Sequence, residues 1–333
     1  MIANAFLNGN ANVTYSINDG VVPALASASI AVQGGVIPNG YISTVSIDSV
    51  GTPGPITLAT PTTTINTLTQ NYSGVEGTVA LAGQTLRLST ATILAGKSGL
   101  TFGATPGSGT IMSRDPAGEL VLANLSSNPM TVNSVIADNI TLSTLTKTGS
   151  GTLLLAGAAT YSGSTAVQEG TLQLAGVNRL PTGTVLTLGA GTTSGTLKLD
   201  ANNQTLGGLT TSGSGTENRV VNGSATAAVL TLGGSSTFAG VLGGPGADEN
   251  NFALVSSGSP ILTGSNTFTG DVTLNTGASL SVPVIATSGP QPLGQSGGAI
   301  QFLGNISQGS TLVYSGSGTG ETSRGRDHGP DGG

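Results

Sequence analysis

The sequence predicts an all-β chain wound as a parallel β-solenoid, and three observations carry that expectation. Glycine is abundant, 54 of 333 residues, and it punctuates short aliphatic runs. Those runs recur as imperfect repeats of about twenty to thirty residues, a length characteristic of stacked architectures. No stretch places apolar residues at helical spacing, so the periodicity is that of strands.

The repeats rest on two short themes. The first, G-x-x-T-[Y/F]-x-G, is read at 157–163 (GAATYSG), 234–240 (GSSTFAG) and 264–270 (GSNTFTG). The second, G-T-[L/V]-x-[L/V], is read in GTVAL at 77, GTLLL at 151, GTLQL at 170 and GTLKL at 195. They join in one long unit from Leu145 to Gly176 and in a second, looser one from Gly258 to Val282. Glycine and asparagine turn the chain, and alternate aliphatics face one way, which puts Leu153, Leu155, Leu172 and Leu174 in the core. One coil cannot bury its own apolar face, but stacked coils of on the order of twenty residues share a core and pair every strand above and below. The aromatic of the first theme is expected to fill a corner of each coil; an exposed row of rings that holds sugars is the rival reading.

Composition excludes several classes of function. Only 7% of residues are charged and the net charge is −6, with no lysine or arginine run before the last dozen residues, so nucleic acid finds no electrostatic footprint. Cysteine is absent, which removes disulfides, thiolate metal sites and a cysteine nucleophile. The N-terminus, MIANAFLNGNANVTYSI, has no basic segment and no apolar run long enough for a signal peptide, and no stretch approaches the roughly 20 apolar residues of a membrane span. That leaves a cytoplasmic protein or a piece of a longer one.

The long unit closely resembles the autotransporter-associated β-strand repeat, or passenger-associated transport repeat, which runs roughly L-x-K-x-G-x-G-T-L-x-L-x-G-x-N-T-Y-x-G-x-T-x-V-x-x-G-T-L-x-L. The match falls on Leu145, Lys147, Gly149, Gly151, Thr152, Leu153, Leu155, Gly157, Thr160, Tyr161, Gly163, Thr165, Val167, Gly170, Thr171, Leu172 and Leu174, and departs at Ala159, where the family often has asparagine. Residues 1–140 show only the style of the family and are expected to be divergent coils; 141–315 carry the repeats; 316–333 read as a glycine-rich, charged and disordered tail. The resemblance implies a right-handed parallel β-helix exported by type V secretion through the outer membrane of a Gram-negative-type bacterium and shown at, or released from, the cell surface. It further implies a C-terminal translocating barrel. None is legible after STLVYSGSGTGETSRGRDHGPDGG, so the chain is expected to be a fragment of such a protein.

Candidate chemistry is sparse. His328, the one histidine, lies in the tail among Arg324, Arg326, Asp327 and Asp331, away from any core that would hold a Ser-His-Asp arrangement. Asp138, Glu169, Asp200, Glu217 and Asp271 are isolated acids, most of them at strand ends or turns, where paired carboxylates would be needed for acid/base work on a glycan. GGPGADENN at 243–251 resembles one calcium-binding nonapeptide through Gly243, Gly244, Gly246 and Asp248, but Asn250 stands where an aliphatic is required and a second copy is missing, so Asp248 is a weak calcium candidate. Gly96-Lys97-Ser98 ends like a phosphate loop, but Ala91 replaces its first glycine. The sequons Asn139-Ile140-Thr141 and Asn222-Gly223-Ser224 are expected by chance in this composition. The reading is therefore a non-enzymatic exported stalk or adhesin-like scaffold without cofactor, whose partners are surface glycans or neighbouring cells and whose open end near Thr311–Tyr314 associates end to end. A glycan-binding adhesin and a carbohydrate-active β-helix enzyme are the alternatives.

Overall fold

The computed structural model describes residues 34–40, 43–49, 54–140, 142–295, 297–304, 307–317, 319–322 and 325–328, preceded by the strands Ala5–Leu7, Ala11–Thr14, Ile17–Asn18, Val22–Pro23 and Ser27–Ala31. It is all-β, with no helix among the described residues, and its parallel strands stack as a β-solenoid. The chain divides into two compact units, Met1–Gly163 and Ser164–Gly333.

In the first unit one wall is the parallel run Thr44–Ser49, Thr62–Gln70, Thr85–Ala95, Glu119–Asn124 and Thr144–Thr148. Another is Val36–Ile37, Ile56–Leu58, Gly77–Ala80, Leu100–Phe102, Met130–Val132 and Thr152–Leu155. Alternation explains both: in TTTINTLTQ at 62–70, Ile65 and Leu68 are fully buried while their neighbours face outward. Where Thr85–Ala95 lies against Thr62–Gln70 the register slips between Leu88 and Thr92, and Thr90 Oγ1 donates to the Asn66 carbonyl at 3.0 Å across the slip. Such a bulge bends the strand. Its first half then pairs with Thr110–Ser113 and its second with Glu119–Asn124, so one long side becomes two.

The second unit has walls Gly170–Leu174, Gly195–Lys198, Arg219–Val221, Val241–Leu242 and Gln204–Leu206, Ala228–Leu232, Phe252–Ser256, Val272–Leu274, Ile300–Phe302. A further side holds Thr165–Val167, Val185–Leu188, Gly208–Thr211 and, later in the chain, Thr237–Phe238, Ile261–Leu262, Ser279–Val282, Thr311–Tyr314. Inward aliphatics sit over their counterparts: Leu172 pairs with Leu197, and Leu197 with Val220. Leu153, Leu155, Leu172 and Leu174 are all fully buried, as the G-T-L-x-L theme requires. Coil length varies, and is 18 residues where Leu254 pairs with Val272. Bonds between neighbouring coils span 23 residues from Asn218 to Gly195 and 28 from Asn124 to Thr152.

The aromatics of the first theme lie inside. Tyr161, Phe238 and Phe268 are each at most 1% exposed, and Phe268 stacks on Phe252 with ring centroids 5.6 Å apart. The glycine that follows each ring has its own reason. Gly270 donates its N–H to the Phe252 carbonyl of the adjoining coil at 3.0 Å, and a Cβ there would sit within 3.0 Å of that same oxygen. Gly163 over Ser143 and Gly240 over Asn218 repeat the contact. The motif is thus a ring that fills the corner, followed by a residue small enough for two coils to touch. Gly270→Ala is accordingly expected to destabilise the second unit by about 1 to 3 kcal/mol through overpacking, read as a shift of its denaturant midpoint.

Two regions differ from the sequence-based expectation. The first strands are not solenoid coils: Ala5–Leu7, Ala11–Thr14 and Ser27–Ala31 pair antiparallel, as do Ile17–Asn18 and Val22–Pro23, and only Ser27–Ala31 then runs parallel to Thr44–Ser49. Asn8-Gly9 between the first two strands is a strong hairpin signal. An antiparallel meander of this kind occupies the edge that a bare first coil would expose. At the other end, where composition predicts disorder, Arg326–His328 forms a strand parallel to Ile300–Phe302. Arg324 and Asp331 lie outside the described residues.

Candidate functional site

The most fully built polar environments belong to buried amides at the coil corners. Gln70, Asn124, Asn218, Asn222, Gln204, Asn266 and Gln291 are 0 to 2% exposed. Each spends its donors and acceptor on backbone groups at a coil corner. Asn222 donates to the carbonyls of Ser224, Thr226 and Asn251 at 2.8 to 2.9 Å and accepts from the Ala201 N–H at 2.8 Å. Asn124 donates to Asn128 O and Thr152 O and accepts from the Ser126 N–H. Gln204 accepts from the Leu180 N–H and donates to Leu180 O, and Asn266 joins Leu242 N to Pro292 O. These side chains satisfy the backbone that the turns take out of the ladders. The signal was parity: Asn124 is in phase with inward Leu120 and Leu122, and Asn222 with Val220. Lys147, the lysine of the repeat, is buried in the same manner, with Nζ donating to Thr148 O at 3.0 Å and Gly149 O at 2.6 Å.

The acids are consumed in a related way and mostly stay apart. Asp271 accepts from the Ala299 N–H at 2.7 Å and from Gln301 Nε2 at 3.1 Å. Asp200 accepts from Gln173 Nε2 at 2.9 Å and faces Lys198 Nζ at 3.5 Å. Glu217 pairs with Arg219, whose Nε lies 3.0 Å from Oε2. Asp200 lies in the turn after Gly195–Lys198 and Glu217 before Arg219–Val221, each tied to its own basic neighbour, Lys198 and Arg219. Glu169 and Glu217 are the exception. Thr193 Oγ1 donates to Gln168 O and Ser194 Oγ accepts from the Glu217 N–H, so the register carries past the ladder and sets Glu169 and Glu217 on the same edge, two coils or about 10 Å apart in backbone.

Asp138 closes the loop to Ser143. Its Oδ1 accepts the N–H of Ser143 at 2.7 Å and of Ser162 at 3.1 Å, and the Ser162 hydroxyl bonds the other oxygen. Burial works to raise its pKa, but these hydrogen bonds to the carboxylate prevail and hold it below the ordinary 3.8. A depressed carboxylate contributes stability that is present above the unfolded value and lost as pH falls through the folded one. The melting temperature of wild type is therefore expected to exceed that of Asp138→Asn by a constant margin at neutral pH, with the two curves converging once pH drops below about 4. A gap that widened on acidification would contradict this assignment.

The 243–251 loop is held by its own side chains. Glu249 accepts from the Gly246 N–H at 2.8 Å, and Asn250 Oδ1 from the Gly244 N–H at 2.9 Å and Thr267 Oγ1 at 2.6 Å. Asp248 is exposed and its carbonyl takes the Gly223 N–H at 3.1 Å. Among the described residues no three His, Asp or Glu side chains converge where an ion would sit. His328 is placed by its backbone opposite Phe302. Ser98 is buried, with its N–H on Gln70 Oε1 at 3.0 Å, and a strand, Leu100–Phe102, follows it.

A family model described as passenger-associated-transport-repeat matches residues 145–174 and 257–282. The chain carries passenger-associated transport repeats. No curated protein and no solved structure matches it. The matched stretches contain two of the three buried theme rings, Tyr161 and Phe268, the buried Lys147 and Leu153, Leu155, Leu172 and Leu174. Passenger-associated transport repeats and a β-solenoid fold together fit an autotransporter passenger, and the repeat family implies export to the surface and a separate translocating barrel. No helix among the described residues is long and apolar enough to cross a membrane.

Proposed function

We propose that this chain is the displayed part of a type V secreted surface protein of a Gram-negative-type bacterium, with signal peptide and outer-membrane barrel elsewhere in the longer protein. There it acts as a non-enzymatic stalk or adhesin-like scaffold that meets surface glycans or neighbouring cells. The observation that supports this best is how the polar side chains are spent: Asp138, Asp271 and the buried amides bind the chain's own backbone, and the theme rings lie inside rather than on a sugar platform. The outer rows are left to residues such as Thr171, Thr196 and Thr187. Expressing the complete natural gene in such a bacterium and adding protease outside the cells tests it. Loss of the chain from intact cells, without release of reducing ends from a polysaccharide panel, is the expected result. Protection from the protease, or cleavage of a glycan, would overturn it.

One observation favours the carbohydrate-active reading, the placement of Glu169 and Glu217 on one edge beside Arg219. If that edge works on a glycan, Glu217→Gln abolishes whatever cleavage the panel detects. Under the scaffold reading there is none to abolish.

A further inference from the structure

We propose that a second copy of this chain docks antiparallel along Thr311–Tyr314, in a two-fold pairing centred on Val313. Thr311–Tyr314 is paired on one side with Ser279–Val282, and among the described residues no strand covers its other side. The N–H groups of Thr311 and Ser315 donate to Ala278 O and Val282 O, each at 2.9 Å. Residues of a parallel strand turn their backbone groups alternately to the two neighbours, so Leu312 and Tyr314 direct N–H and C=O to the open side. Their side chains belong to the inward row: Leu312 pairs with Leu280 and Tyr314 with Val282, both fully buried, yet Leu312 and Tyr314 are only half covered. Beside Leu312 lies a hollow of about 580 Å³ whose apolar wall is Leu312, Ile285, Ile300 and Phe302 and whose polar wall is Thr287 with Glu321 and Thr322 of the chain's own C-terminal segment.

The neighbouring wall is finished differently. There the chain lays the charged strand Arg326–His328 against Ile300–Phe302. The open strand, T-L-V-Y, carries no charge, so two copies meet without repulsion.

Register selects a second copy as the occupant. A two-fold axis normal to the sheet through Val313 sets Leu312 opposite Tyr314 of the second copy, and Tyr314 opposite its Leu312. Both are pairs whose backbones face each other, so each exchanges two hydrogen bonds, four in all. The Leu and Tyr side chains stay on the inner side, with Leu312 beside the hollow, while Val313, 40% exposed, meets itself on the outside. A shift of two residues would put Tyr314 against Ser310 one way, or Leu312 against Gly316 the other, and leave one apolar pair in place of two. The pairing holds whether or not the chain is displayed on a cell.

The chain contains no cysteine, so single cysteines report the register. Two Val313→Cys copies would have Cα atoms about 4.5 Å apart, within disulfide reach. Two Thr311→Cys copies would lie roughly 13 Å apart along the strands. Wild type is expected to sediment at twice the monomer mass at high concentration. Val313→Cys should cross-link under mild oxidation and Thr311→Cys should not. Val313→Lys, which places like charges on the axis at an exposed position, should halve the mass at high concentration while leaving the melting temperature of the dilute, monomeric protein unmoved. A monomeric wild type, assemblies larger than a dimer, equal cross-linking at 311 and 313, or a Val313→Lys variant that still dimerises would each overturn the proposal.

Discussion

Replacing Phe268 by alanine is expected to lower the stability of the second unit by about 3 to 5 kcal/mol, the upper range for removing a core aromatic. The ring is fully buried and is stacked on Phe252, so the substitution removes both its transfer free energy and a ring pair that contributes about 0.5 to 1.5 kcal/mol. The cavity has little means of collapsing. Gly294 lies against the ring and has no side chain to move in, and the adjoining backbone is fixed by Gln295 N–H on Phe268 O at 2.9 Å. Phe268→Leu should recover a large part of the loss because it refills most of the volume. The measurement is the denaturant midpoint at unchanged slope; an unmoved midpoint would place the ring on the surface.

Asn222→Ala should also have a large effect without touching an apolar group. It strips the Thr226 carbonyl and the Ala201 N–H of their partner, while the Ser224 and Asn251 carbonyls keep the Asn251 Nδ2 and Ala228 N–H bonds. At about 1 to 3 kcal/mol for a buried polar group left unpaired, with partial relaxation of these two, a loss of about 2 to 3 kcal/mol is expected. Asn222→Asp is the sharper variant, because its carboxylate would face three carbonyl oxygens with no proton to offer, and it should unfold more readily than the alanine protein. Amide exchange at Ala201 separates this account from general destabilisation: that N–H should lose protection in Asn222→Ala and keep it better in Asn222→Gln.

Much of this fold was legible because its rules are local. The period-two placement of Leu153 and Leu155, or Leu172 and Leu174, needs only the pleat, and the one aromatic per theme needs only a corner to fill. What sequence reading missed depends on the coil next door. Asn124 looks like any turn residue until its amide is seen to reach Thr152, 28 residues on. The alternating residues of the first strands suit a hairpin and a coil equally, and Asn8-Gly9 was the one local mark of the antiparallel return. The candidate site was legible in part: the isolation of Asp138, Asp200 and Asp271 could be read from their spacing, whereas Glu169 and Glu217, 48 positions apart in the chain, share an edge only because two coil lengths happen to sum to that separation.

The stacking has a kinetic consequence. The ladder contacts join residues one coil apart, 23 positions for Asn218 to Gly195 and 28 for Asn124 to Thr152 in a chain of 333, or about 0.07 to 0.08 of its length. Relative contact orders of that size belong to helical bundles, which fold in microseconds to milliseconds, and not to the sandwiches and barrels that β-rich chains usually form. Loop closure here spans a single coil, so its entropic cost is set by coil length and stays the same however many coils precede it. A sequence of this kind can grow by duplication without slowing the search that each new segment makes for its place.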